Sequence, residues 1–228
     1  MRIVLPSIVL ALALAGCGSP APQPEPAPSE QVAAEPAPVS GPERRILAFG
    51  NSLFAGYNLE DGESYPARLE AALRERGIDA WIANAGVSGD TTAAGLQRLA
   101  FTLDAQERAP DLVIIELGGN DLLRGLSPDE TEANLSAMLD ILAERDIPVL
   151  LMGMRSPPNY GPEFQAEFDA LYPALAEEYG ADLVPFFLEP VYDQPQLIQP
   201  DRIHPTAEGI ETLVGATVDA VVEALPEE

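Results

Sequence analysis

The segment "QPDRIHPTAEG", residues 199–209, contains His204, the one histidine among 228 residues. Asp201 stands three positions before it and Pro205 directly behind. Histidine is the side chain whose charge changes near neutral pH, which suits it to take up and return a proton. A carboxylate three residues earlier can reach one ring nitrogen across a single tight turn. Pro205 donates no backbone hydrogen bond and disfavours helix at His204, which helps fix that turn. "GNSLFAG", residues 50–56, offers Ser52, and a serine hydroxyl is a weak nucleophile unless a base stands beside it. Two further segments offer neutral donors. In "GVSGDTT", residues 86–92, Gly89 lets the backbone approach a substrate closely. In "GGNDLLRG", residues 118–125, Asn120 carries an amide that donates without charge. A serine, an imidazole with a nearby carboxylate, and donors for an oxyanion are the inventory for acyl transfer.

These residues need elements to bring them together. "RILAF" (45–49), "AWIANA" (80–85), "DLVIIEL" (111–117), "PVLLMGM" (148–154) and "DLVPFF" (182–187) read as buried strands. Between them lie helical patterns at 65–77, 92–109, 127–146 and 163–180, and another closes the chain at 206–225. The third opens with Ser127 as N-cap, Pro128 at the first helical position and Glu130 completing a capping box. The fourth contains Pro173, where a kink is expected. Apolar strands alternating with helices predict a parallel sheet covered on both faces. Right-handed crossovers make it a three-layer α/β/α sandwich of about five strands.

Ligands of such sheets bind just beyond the carboxyl ends of the strands. Ser52, Gly89 and Asn120 follow the first, second and third strands directly, and Asp201 and His204 follow the fifth after a loop. Each has a dull reading by itself. Ser52 and Asn51 fit a turn, Asp201 fits a cap, and Gly118–Asp121 fits a plain loop. Asp90 and Asp121 are read as caps or loop hydrogen-bonders. Leu122, Leu123, Leu126, Phe186 and Phe187 suit core packing at least as well as an acyl groove. The dull readings must all hold together at four strand ends, which favours a hydrolase site.

At these residues the chain resembles the SGNH, or GDSL-type, hydrolases. The blocks "FGNSL", "SGDTT", "GGND" and "DxxHP" occur in order, and the resemblance runs from residue 45 to about 225. "ELGGNDLLRG", "PPNYG" and "LVPFF" are similar to the branch holding bacterial arylesterases, thioesterases and lysophospholipases. The resemblance implies a flavodoxin-like α/β/α fold and no cofactor. It implies Ser52 as nucleophile, His204 as general base and Asp201 as the carboxylate that orients the ring. It also implies an oxyanion hole from the Ser52 and Gly89 N–H groups and the Asn120 amide. Leu122, Asn159 and Tyr160 are expected to border the pocket. One residue departs from the pattern: Asn51 stands where the family usually has aspartate. Asparagine keeps the size and one acceptor, so activity is expected to survive.

The totals narrow the rest. The chain carries 37 acidic and 12 basic residues, all of the latter arginine, for a formal charge of −25. Such a surface repels nucleic-acid and anionic-lipid phosphates. One cysteine allows no intrachain disulfide, and one His with one Cys excludes an ordinary His/Cys zinc site. The acidic residues leave a carboxylate-built Ca²⁺ or Mg²⁺ site open, but no EF-hand spacing occurs and no metal is expected. Residues 1–16 read as a lipoprotein signal peptide: one Arg, a short apolar run, then "LAGC" ending at Cys17, which resembles the bacterial lipobox. Lipidation of Cys17 would give stable membrane attachment. Residues 17–43, rich in Pro, Ala and Glu, read as an extended disordered linker, with the hydrolase domain at 44–228.

The expectation is a carboxylic ester hydrolase in the bacterial cell envelope, facing the periplasm. It would act on short- or medium-chain acyl esters, aryl esters or lysophospholipids. Two rivals stand beside it: an O-deacetylase of envelope polysaccharide with the same fold, and a lipoprotein that only binds envelope components.

Overall fold

The computed structural model describes residues 41–227 together with Val39. The expected signal peptide, Cys17 and most of the expected linker lie outside the described residues. Five strands form one sheet: β1 (Arg44–Gly50), β2 (Ala80–Gly86), β3 (Leu112–Glu116), β4 (Val149–Met152) and β5 (Asp182–Val184). They lie in the order β2-β1-β3-β4-β5, and every pairing is parallel.

The layering follows from the sequence pattern. β1, β3 and β4 are nearly continuous apolar runs, so both of their faces must be covered. All five residues of β3 are buried, and each aliphatic side chain fully removed from water contributes about 1.5–3 kcal/mol. α2 (Tyr65–Glu75) packs on α8 (Ala207–Ala224). α3 (Thr92–Asp104) packs on α5 (Pro128–Ala143), and α5 packs on α6 (Pro162–Tyr179). The two groups supply the two helical layers of a three-layer α/β/α sandwich, as the alternating pattern predicts.

Ser127 accepts from the Glu130 N–H while the Glu130 carboxylate reaches back to the Ser127 N–H, completing the capping box of α5. α6 runs on through Pro173. α3 ends at Asp104 rather than near 109, because the apolar spacing stops at Leu103 and only polar or small residues follow. Three short helices sit at strand exits or in the long final loop: α1 (Ser52–Ala55), α4 (Gly119–Leu123) and α7 (Glu189–Tyr192). Among the described residues no helix is long and apolar enough to cross a membrane.

The chain leaves β1 for β2 on one side and later places β3 on the other. The carboxyl ends of β1 and β3 therefore flank the point where winding reverses, and ligands bind at such points in open α/β sheets.

Candidate active site

Ser52 and His204 are 152 positions apart, yet His204 Nε2 lies 2.9 Å from Ser52 Oγ. Ser52 is the first residue of α1, immediately beyond β1. His204 sits in a loop folded back on itself: its carbonyl accepts from the Gln199 N–H at 2.7 Å, and Ile198 bridges Pro205 in antiparallel fashion. Gln199 also ties this loop to the serine side, its Nε2 donating to the carbonyls of Pro205 at 2.8 Å and Tyr57 at 2.9 Å. The Tyr57 ring lies against the imidazole with centroids 4.4 Å apart.

On the far side of the ring, His204 Nδ1 lies 2.7 Å from Asp201 Oδ2. The other oxygen of Asp201 accepts from the backbone N–H groups of Ile203 at 2.9 Å and His204 at 3.1 Å. Partial loss of water pushes the Asp201 pKa up, but the ring hydrogen bond, the two backbone donors and the charge of the imidazole outweigh it and lower it to about 2. An ionised Asp201 accepts only, so Nδ1 carries the proton. Nε2 is then left to accept from the serine hydroxyl.

The serine turn has a different support. Asn51 is buried, and its Oδ1 accepts from the Leu53 N–H at 3.0 Å, capping α1. Its Nδ2 donates to Glu116 Oε1 at 2.9 Å and its backbone N–H to Glu116 Oε2 at 3.2 Å. Glu116, the last residue of β3, is fully buried. Desolvation raises its pKa to about 8, against the opposing pull of the two Asn51 hydrogen bonds.

Three donors face the same region. Gly89 takes φ +88°, a left-handed conformation that favours glycine. Its carbonyl is held by Arg124 Nη2 at 2.7 Å, and among the described residues its N–H and that of Ser52 donate no hydrogen bond. Asn120 Nδ2 donates to the Asp90 carbonyl at 2.9 Å. An amide has two N–H donors, so one bond orients it and the second is left over.

Ser52, Gly89, Asn120 and His204 open into one cavity of about 480 Å³, in the usual size range for small-molecule sites, roughly 300–1,000 Å³. Its walls are mainly apolar, with Leu53, Leu122, Met154, Phe186 and Ile203 among them. Serine, an imidazole on its hydroxyl, an ionised carboxylate and unpaired N–H donors beside an apolar cavity can attack, hold and release an acyl group.

Comparison with known proteins agrees. Residues 48–211 match the model of the GDSL-like lipase/acylhydrolase family. The chain belongs to this family. It is 43% identical to an arylesterase of Vibrio mimicus over 169 residues, which covers 74% of this chain and 84% of that one. It is 41% identical to thioesterase 1/protease 1/lysophospholipase L1 of Escherichia coli K12, over 70% of this chain and 74% of the other. Among solved structures, the SGNH-hydrolase family esterase AlinE4 is 66% identical, with a TM-score of 0.70, over 82% of this chain and 99% of that one. The chain is thus a carboxylic ester hydrolase of the SGNH type, a serine esterase acting on a small ester or lipid.

The esterase brings Ser52, Asp201, His204, Gly89 and Asn120 to one rim of the sheet, where the strand-end rule puts them. Leu122 also lines the cavity. Asn159 and Tyr160 do not, which corrects the expectation for both. A 3-10 turn, Pro158–Tyr160, leaves Pro157 in the wall but turns Asn159 to solvent. Tyr160 stacks on Phe164 and donates from its hydroxyl to the Leu122 carbonyl at 2.7 Å, bracing α4 from behind. Phe187 is core, packed edge-on against Phe54 and Tyr65, whereas its neighbour Phe186 lines the cavity. Asp90 pairs with Arg98 at 2.6 Å, and buried Asp121, in the first turn of α4, accepts from the Thr92 N–H at 2.9 Å; both make structural hydrogen bonds. Sequence reasoning missed Tyr57, Gln199 and the pairing of Asn51 with Glu116. A glutamate closing an otherwise apolar strand was the available signal for the last.

Proposed function

We propose that this esterase works through an acyl-serine intermediate, with Ser52 as nucleophile, His204 as general base and Asp201 as the carboxylate holding the ring. The observation that carries the reading is the unbroken chain of contacts from Ser52 Oγ to His204 Nε2 at 2.9 Å and from Nδ1 to Asp201 at 2.7 Å. Ser52 Oγ attacks the acyl carbonyl carbon as its proton passes to Nε2. The new oxyanion is met by the N–H groups of Ser52 and Gly89 and the free N–H of Asn120. The carbon–oxygen bond to the alcohol then breaks, and His204 returns the proton to the leaving oxygen. Water, deprotonated by the same imidazole, releases the acid.

The mainly apolar cavity supports acyl chains longer than acetate. Short- and medium-chain acyl esters, aryl esters and lysophospholipids are the proposed substrates, in preference to polysaccharide O-acetyl groups. The test is a series of p-nitrophenyl esters from acetate to octanoate, run beside Ser52→Ala. The wild type should turn over butyrate and octanoate. The variant should lose at least ~10³-fold in kcat at an unchanged unfolding temperature. Activity confined to acetate would favour the deacetylase, and no turnover of any ester would favour a binding protein.

We also propose that the chain is a lipoprotein of the bacterial cell envelope, anchored through Cys17 and facing the periplasm. The single Arg, the short apolar run and "LAGC" support this. Cys17→Ser should leave the precursor uncleaved or free of membranes. Fractionation identical to wild type would contradict the anchor.

A further inference from the structure

The charged residues around the cavity are the reverse of those on the whole chain. The sequence has 37 acids against 12 arginines, yet among the described residues no Asp or Glu lines the cavity, while Arg155 and Arg202 do. Most other described arginines are matched with acids: Arg45, Arg68, Arg74, Arg76, Arg98, Arg108 and Arg145 each reach a carboxylate. Among the described residues Arg202 reaches none. Arg155 has only Glu189, at 3.9 Å, both side chains being more than half exposed. The nearest carboxylate in sequence to Arg202 is Asp201, and it is committed to the imidazole and two backbone N–H groups.

Arg202 also holds an unfavourable backbone. Its φ is +63°, a region where Gly or Asn sits with little strain and Arg does not. The residue lies between Asp201 and His204. His204 returns its proton to the departing alcohol oxygen, so the alcohol part of the ester leaves beside this loop. Arg202 thus borders the leaving group rather than the acyl chain.

From this placement we propose that the cavity carries an anion subsite for the alcohol half of the substrate, built on Arg202 with Arg155 as the second cation. The preferred ester is one whose alcohol bears a phosphate or carboxylate. The inference rests on the serine-esterase reading. It narrows the substrate from any small ester to an anionic one, against the repulsion that the rest of the acidic surface exerts.

Three esters of one chain length test it below their micellar concentrations: 1-octanoylglycerol, 1-octanoylglycerol 3-phosphate and 3-octanoylglycerate. The readout is the kcat/KM of each charged ester divided by that of the neutral one. A charge-assisted contact predicts a ratio of about tenfold or more for at least one anion. The arm that exceeds it tells phosphate from carboxylate. Arg202→Asn, which keeps a residue tolerant of the backbone, should bring the ratio toward one, as should its combination with Arg155→Gln. Arg155→Gln alone lies outside the His204 loop and should lower the ratio even where changes at 202 disturb that loop. Ratios at or below one for both anions, or a ratio the double variant leaves unchanged, would overturn the subsite. Turnover of the neutral ester by Ser52→Ala at the wild-type rate would instead overturn the acyl-serine reading.

Discussion

A carboxylate stands behind each of the two groups proposed to react, His204 and Ser52, and the two are held in opposite ways. Asp201 lies in a solvent-facing loop, among donors, with its pKa lowered to about 2. Glu116 lies at the end of the central strand, fully buried, with its pKa raised to about 8. One is a fixed negative charge aimed at a ring that becomes positive in the proposed mechanism. The other is pushed toward its neutral form by burial and serves as a double acceptor for Asn51, whose side chain caps the serine helix. The same functional group does electrostatic work in one place and scaffolding in the other, and surroundings alone decide which.

The sharpest way to break this contrast is Asp201→Asn. The amide keeps an acceptor for the two backbone N–H groups, so the loop should stay folded. Its nitrogen then faces Nδ1, which forces that nitrogen to accept and moves the ring proton to Nε2, where it blocks the serine. Turnover should fall by up to roughly 10⁴-fold with little change in KM. A loss under tenfold would remove Asp201 from its role.

Glu116→Gln should have a smaller effect on rate and a visible effect on stability. A carboxyl whose folded pKa is raised from 4.5 to about 8 favours the folded state fully below the lower value. That contribution is lost as pH rises toward the upper one, because the unfolded chain ionises freely while the buried group resists. Asp201 works the other way: its contribution is present above pH 3.8 and fades as pH falls toward about 2. The wild type should therefore lose unfolding temperature between pH 5 and 8 relative to the Glu116→Gln variant. Parallel curves would mean that Glu116 is ionised throughout.

The same contrast marks what was legible in the sequence. Strand runs such as "DLVIIEL" declare themselves because burial on both faces demands continuous apolar residues. Strand ends then locate Ser52, Gly89 and Asn120, and the lone histidine locates the proposed base. The long segment from Phe186 to Thr206 is harder. It carries α7, a 3-10 turn and the His204 loop, none with a period, and its shape depends on Gln199 hydrogen bonds that no local pattern announces. Asn159 and Tyr160 went astray because nearness to a strand end does not tell which way a following turn faces. The arginines around the cavity were hidden in a charge summed over the whole chain.

The central claim is that Ser52 is the residue acylated in turnover. Reaction with a p-nitrophenyl alkylphosphonate, followed by mass analysis of the tryptic peptide 46–68, tests it most directly. The account predicts one adduct per chain, assigned by fragment ions to Ser52 and not Ser64, and absent from Ser52→Ala. An adduct on any other residue, or equal labelling of Ser52→Ala, would contradict it.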